Sequence, residues 1–217
     1  MNTSYLLGWL TFRFVFATYF RARYFNAERV PTRGPVILAA NHASYLDPPL
    51  AGCGVSRPIN FLARESLFRF PVMGSLLRSW RTVPVDRDRG SASGLRVILD
   101  RLHEGNAIIL FPEGTRTRNG QLQTARSGIG LVVVKSSAPV VPVRVFGTFE
   151  AYGRERLVPK PLSVAVKYGK PLMFFELRAE AATCSKARLK EIYQQVTDEM
   201  MAAIAALEAH EDKEAFP

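Results

Sequence analysis

Short apolar runs alternate with stretches of helical apolar spacing along most of this chain, and that alternation restricts it to α/β layering. Residues 36–40, 59–63, 82–85, 107–111, 140–145 and 162–168 read as strands. Asp47-Pro48-Pro49 marks a helix start with proline in the first turn. The 67–80 stretch has a helical pattern interrupted by Pro71 and Gly74. Leu95, Ile98, Leu99 and Leu102 recur at helical spacing before a stop at Gly105. Residues 128–136 read as a buried helix, although their valines also permit a strand. Leu189, Ile192, Val196, Met200, Ile204 and Leu207 lay out a long amphipathic helix, followed by a solvated tail. A chain of 217 residues suits one domain with a substantial core. The expected fold is α/β: a single domain over 29–210 with a mixed, mostly parallel sheet flanked by helices. A membrane-associating helical region at 1–28 precedes it, and a polar tail at 211–217 follows.

The segment 5–20 is almost wholly apolar, with Trp9, Phe12, Phe14, Phe16 and Tyr19 interrupted by Arg13. It is shorter than the about 20 apolar residues a spanning helix needs. As a helix, Ser4, Gly8, Thr11 and Thr18 form a narrow small-and-polar stripe, and Arg21 and Arg23 follow at once. A helix lying in the membrane interface is favoured, with Arg13 reaching up to the head groups. A single tilted span and a helix packed on the protein's own core are the alternatives.

The net charge is +10, carried by 22 arginines against 7 lysines. Arginine suits phosphate, and such a balance fits an anionic membrane surface or a phosphorylated substrate. No helix-turn-helix, aromatic ribonucleoprotein or zinc-finger spacing favours nucleic acid, which is not expected as a partner. Cys53 and Cys184 form no CxxC pair, which suits a reducing compartment. Cys53 follows His42 closely enough to raise a Cys-His nucleophile, but its small-residue setting (Ala51-Gly52-Cys53-Gly54) looks packed.

Two runs carry the chemistry. Asn41-His42-Ala43-Ser44-Tyr45-Leu46-Asp47 offers a base and a carboxylate. On a straight helix these two would lie roughly 140° apart. A turn must bring them together, and Pro48 should bias Asp47 away from helical geometry. Once met, the aspartate orients the imidazole and frees its other nitrogen for a substrate hydroxyl. Phe111-Pro112-Glu113-Gly114-Thr115-Arg116 follows a strand and turns sharply. Gly114 permits close backbone approach, Thr115 offers a hydroxyl and Arg116 a fork of donors, which makes a cradle for phosphate or carboxylate.

Together these runs resemble the glycerolipid acyltransferases of the 1-acyl-glycerol-3-phosphate acyltransferase type. Asn41, His42 and Asp47 match the family's Asn-His-x-x-x-x-Asp motif, and 111–116 match Phe-Pro-Glu-Gly-Thr-Arg in full. Phe61-Leu62-Ala63-Arg64-Glu65 and Pro71-Val72-Met73-Gly74 look like the approach to the second motif; Val83-Pro84-Val85-Asp86-Arg87 looks like its end. Val141-Pro142-Val143 resembles the fourth. The chain departs from the pattern at Arg64, where lysine is usual, and at Ala125 and Arg126, where phenylalanine and lysine are usual.

The resemblance implies that His42 deprotonates a lysophospholipid hydroxyl and that Asp47 orients His42. Arg87, Glu113, Gly114, Thr115 and Arg116 would position the glycerol phosphate, and Pro142 would shape the acyl-donor side. The donor would be acyl-CoA or acyl carrier protein, the acceptor lysophosphatidic acid and the product phosphatidic acid. No cofactor, metal or covalent enzyme intermediate is required. The implied place is the cytoplasmic face of the inner (plasma) membrane. Acylation of another lysolipid (a lyso-ornithine lipid, glycerol-3-phosphate or a remodelling substrate) and a non-catalytic membrane-surface role are the alternatives.

Overall fold

The computed structural model describes residues 2–85, 91–125 and 128–210, with backbone alone at 91–93. Helix α1 (Thr3–Thr18) begins at Asn2, whose side chain accepts the Tyr5 N–H at 2.7 Å. There follow β1 (Arg23–Phe25), β2 (Val36–Ala40), α2 (Asp47–Cys53), β3 (Ile59–Arg64), α3 (Pro71–Ser79) and β4 (Thr82–Val85). The second half holds α4 (Ser91–His103), β5 (Ala107–Leu110), α5 (Gly128–Lys135), β6 (Val140–Phe146), α6 (Thr148–Tyr152), β7 (Ala165–Tyr168), α7 (Phe175–Ala181) and α8 (Lys186–Ala205). The strands form one sheet in the order β1-β7-β6-β2-β5-β3-β4. Every neighbouring pair is parallel except β6 with β7.

Strand β2 sits at the centre with all five residues buried. Its alternation sorts them by face. Val36, Leu38 and Ala40 join the cluster of Phe16, Phe20 and Leu50 beneath α1 and α2, while Ile37 and Ala39 join Leu102, Val132 and Ile192 beneath α4, α5 and α8. The 128–135 segment is a helix despite its valines. Gly130 lies so close to α8 that an added Cβ would collide with the Tyr193 carbonyl, and this packing overrides β preference.

Three expectations change. The strand expected over 162–168 shrinks to Ala165–Tyr168, because 161–164 is tied instead to the end of α1 through Arg21 to the Pro161 carbonyl and Val164 N–H to the Phe20 carbonyl. The 67–80 pattern splits into a 3-10 turn (Glu65–Arg69) and α3, with the break at Phe70 because Pro71 opens α3. β1, α6 and α7 were not foreseen, being short and without apolar periodicity.

The first helix has two working faces. Tyr5 and Phe16 are buried, Phe12 packs edge-on against Trp80 (5.7 Å), and the Tyr5 hydroxyl accepts the Ile59 N–H (2.9 Å). Ser4 and Gly8, part of the small stripe, form the seam with α3. Ser4 Oγ meets Ser79 Oγ at 2.8 Å, and Gly8 faces the Trp80 indole. Leu6, Leu7, Leu10 and Phe14 stay exposed. Packing on the core and an apolar outer surface are thus opposite sides of one helix. Arg13 is exposed, and it donates to the Cys53 carbonyl at the end of α2 (3.0 Å) and lies over Trp9. Among the described residues, no helix is long and apolar enough to cross a membrane.

Candidate active site

Both chemical runs leave the carboxyl ends of adjacent parallel strands, β2 and β5, which places them side by side. Asn41 closes β2. Its amide oxygen accepts the Val145 N–H (2.8 Å) and its amide nitrogen donates to the Val145 carbonyl (3.3 Å), fixing the end of β2 to β6. The chain then turns through 43–46, where Ser44 bridges to Gly153 and donates its hydroxyl to the Tyr152 carbonyl (2.6 Å). That turn brings His42 Nδ1 to 2.8 Å from Asp47 Oδ2. Asp47 is itself the first residue of α2, so Pro48 does not keep it out of the helix; proline is accepted there because first-turn N–H groups lack partners anyway.

Asp47 is wholly buried, and its Oδ2 also accepts the Ala43 and Ser44 N–H groups at 2.6 and 2.7 Å. An oxygen already accepting two N–H bonds is an acceptor, so Nδ1 carries the proton it shares. That tautomer carries its lone pair at Nε2, which has no protein partner among the described residues. The ring stacks on Phe111 with centroids 4.0 Å apart.

The second run grips the His42 backbone from the other side. Glu113 Oε1 accepts the His42 N–H (3.0 Å), and the Thr117 N–H donates to the His42 carbonyl (2.9 Å). Glu113 Oε2 accepts from Gln123, which also donates to the Thr115 carbonyl. Glu113, expected at the acceptor phosphate, is therefore buried with both oxygens engaged by the protein. Burial pushes its carboxyl above the ordinary glutamate value, and the His42 and Gln123 hydrogen bonds partly offset this. Gly114 turns at φ 70°, a left-handed conformation that favours glycine.

His42, Thr115 and Arg116 border a cavity of about 820 Å³. Arg116 stacks on Tyr45 with its guanidinium carbon 3.4 Å from the ring centroid, and its buried Nη1 has no hydrogen-bond partner among the described residues. Arg64 and Arg154 line the same cavity, and among the described residues no carboxylate does. Away from these cations the walls are apolar, with Trp9, Phe12, Phe61, Leu77 and Trp80 between α1, α3 and β3.

Pro142 stands apart from the other expected residues. It is buried within β6, paired in register with Ala39 and packed on Gly169, and it does not line the cavity. Arg87 and Arg126 lie outside the described residues. Cys53 borders the cavity, but its thiol is pushed up to about 12 by burial and points at the Trp9 carbonyl, so it makes no nucleophile with His42. Gln123 and Arg154 were not foreseen; neither sits in a motif, and only the folded chain brings them here. Among the described residues no three His, Cys, Asp or Glu side chains cluster to hold a metal ion.

A family model described as Acyltransferase matches residues 21–146. The chain is 28% identical over 143 residues to the 1-acyl-sn-glycerol-3-phosphate acyltransferase of Borreliella burgdorferi, covering 65% of this chain and 57% of that protein. It is 28% identical over 124 residues to the protein of the same name from Bacillus subtilis (57% of this chain, 61% of that one). To a chloroplastic 1-acyl-sn-glycerol-3-phosphate acyltransferase of Brassica napus it is 30% identical over 125 residues (56% and 36%). The chain thus spans less than two thirds of these relatives' lengths. The crystal structure of the 1-acyl-sn-glycerophosphate (LPA) acyltransferase PlsC from Thermotoga maritima superposes with a TM-score of 0.68 at 25% identity, covering 95% of this chain and 80% of that one.

Proposed function

The chain belongs to the acyltransferase family, and from that premise we propose that it transfers an acyl group from acyl-CoA or acyl carrier protein to the free hydroxyl of lysophosphatidic acid, giving phosphatidic acid. One observation carries the reading: the oriented His42 imidazole and the Arg116 side chain border one apolar-walled cavity.

In this reading His42 Nε2 takes the proton of the acceptor hydroxyl as its oxygen attacks the thioester carbonyl. Asp47 holds the ring and stabilises the imidazolium that forms. The tetrahedral intermediate collapses with cleavage of the carbon–sulfur bond. The imidazolium returns its proton to the departing sulfur, so the donor leaves as a thiol and His42 is restored. Arg116 holds the acceptor phosphate through its guanidinium fork. The apolar walls accommodate an acyl chain and keep water from the thioester. Glu113, braced by Gln123, acts on His42 through its backbone and need not touch substrate.

The acceptor resides in a bilayer, so the exposed face of α1 is the side that meets it, at the cytoplasmic face of the inner membrane. The test is acyl transfer from labelled acyl-CoA to lysophosphatidic acid by wild type and His42→Ala. Labelled phosphatidic acid from wild type alone is expected. Product from both would remove His42 from the chemistry. Transfer to another lysolipid but not to lysophosphatidic acid, with either donor, would change the acceptor.

A further inference from the structure

We propose that the loop joining α6 to β7 is a second bilayer contact, in which an apolar tip at Leu157 and Val158 enters an anionic membrane surface beside the mouth of the cavity. The proposal rests on the reading of that cavity as a lysolipid acyltransferase site.

The loop is closed at its neck, where the Lys160 N–H donates to the Ala151 carbonyl at 2.8 Å. Its far side is tied to the end of α1: the Tyr19 hydroxyl donates to the Pro159 carbonyl (3.0 Å) and Arg21 to the Pro161 carbonyl (3.1 Å). Between these ties the tip projects unpacked. Leu157 is 94% exposed, the most of any large apolar side chain among the described residues, and Val158 is 71% exposed. A loop held at both ends that keeps two aliphatic side chains in water is unfavourable unless something covers them. Arg154, Arg156 and Lys160 flank the tip, all exposed, against one acid, Glu155. Aliphatic side chains within a basic collar fit the boundary between acyl chains and anionic head groups.

The loop's place in the fold agrees. β6 runs parallel to β2, so α6 and this loop leave the same end of the sheet as His42. Arg154, at the base of the tip, lines the cavity itself. Other exposed apolar side chains gather at that end: Tyr45 after β2, and Phe70 and Val72 after β3. The tie to Tyr19 makes the loop continuous with α1, whose Phe14 is 70% exposed. An acceptor would then pass from the bilayer to His42 without crossing water.

The test is co-sedimentation with vesicles of phosphatidylcholine and phosphatidylglycerol in equal parts, comparing wild type with the double variant Leu157→Asp/Val158→Asp. The variant's partition coefficient should fall at least about ten-fold, while acyl transfer from acyl-CoA to detergent-dispersed lysophosphatidic acid stays as in wild type. Equal partition of the two proteins, or no vesicle binding by wild type, overturns the proposal. Binding as tight to pure phosphatidylcholine overturns the role of the basic collar. Acyl transfer missing from both proteins while partition still differs counts against the proposed function and leaves the loop assignment standing. Should the double variant misfold, Leu157→Cys carrying an environment-sensitive fluorophore, in a Cys184→Ser background, gives a second readout. Its emission should shift to the blue on adding vesicles, and unchanged emission overturns the contact.

Discussion

The cavity's two walls are built on opposite principles. Around His42 the side chains are fixed by directional bonds: one Asp47 oxygen accepts three donors, and both Glu113 oxygens accept from the protein. Across from it, Trp9, Phe12, Phe61 and Leu77 are placed mainly by apolar contact, and Trp80 by one hydrogen bond to the Ser4 carbonyl (3.1 Å). Proton transfer needs heavy atoms at about 2.6–3.2 Å, so the first wall must be rigid. An apolar chain gains dispersion contacts in many arrangements, so the second tolerates different occupants. Rate should reside in one wall and chain preference in the other.

The largest break in that contrast is His42→Ala. Its transfer rate should fall by about 10²–10⁴, while equilibrium binding of lysophosphatidic acid persists; loss of binding instead would place His42 in recognition. Glu113→Ala comes next. It strands the His42 N–H and the Gln123 amide, so denaturant unfolding should show a loss of about 1–3 kcal/mol. In kinetics kcat should fall more than the acceptor KM rises, and the reverse pattern would return Glu113 to the phosphate.

Arg116→Lys keeps the charge but loses the fork and the stack on Tyr45. The acceptor KM should rise about ten-fold with kcat nearly constant. A change confined to the donor KM would move the phosphate site elsewhere. Phe61→Ala sharpens the comparison from the apolar side. Competition between acyl-CoA chain lengths should shift a few-fold toward longer chains, and a collapse of kcat for all donors would show that this wall, too, positions the chemistry. The smallest effect is expected from thiol alkylation near pH 8. Cys53, with its pKa pushed up to about 12 by burial, stays protonated and unmodified. Mass spectrometry should find the adduct on Cys184, with activity retained.

Much of this was legible before folding because the signals were local. The strands at 36–40 and 107–110 are short apolar runs between breakers, and parallel strands buried on both faces look like that in any context. His42, Asp47 and Arg116 stand in runs whose residue types already state their chemistry. Glu113 stood in the same run, but whether it faced substrate or the backbone of a residue 71 positions away could not be read there. Pro142 stood in an expected strand, and only the fold shows that this strand residue does not line the cavity.

The first helix shows the limit most clearly. Apolar on nearly every side, it carries no periodicity to say which face is covered; contacts with α3, Trp80, Ile59, the end of α2 and the core beneath Phe16 decide it. The sequence alone determined the α/β layering and set His42, Asp47 and Arg116 in two short runs, because each depends on neighbouring residues and their intrinsic chemistry. Tertiary structure alone decided that Glu113, braced by Gln123, holds the His42 backbone, that Arg154 reaches the cavity and that α1 shares the core. Those contacts depend on where distant segments of chain cross, which residue types at one position do not encode.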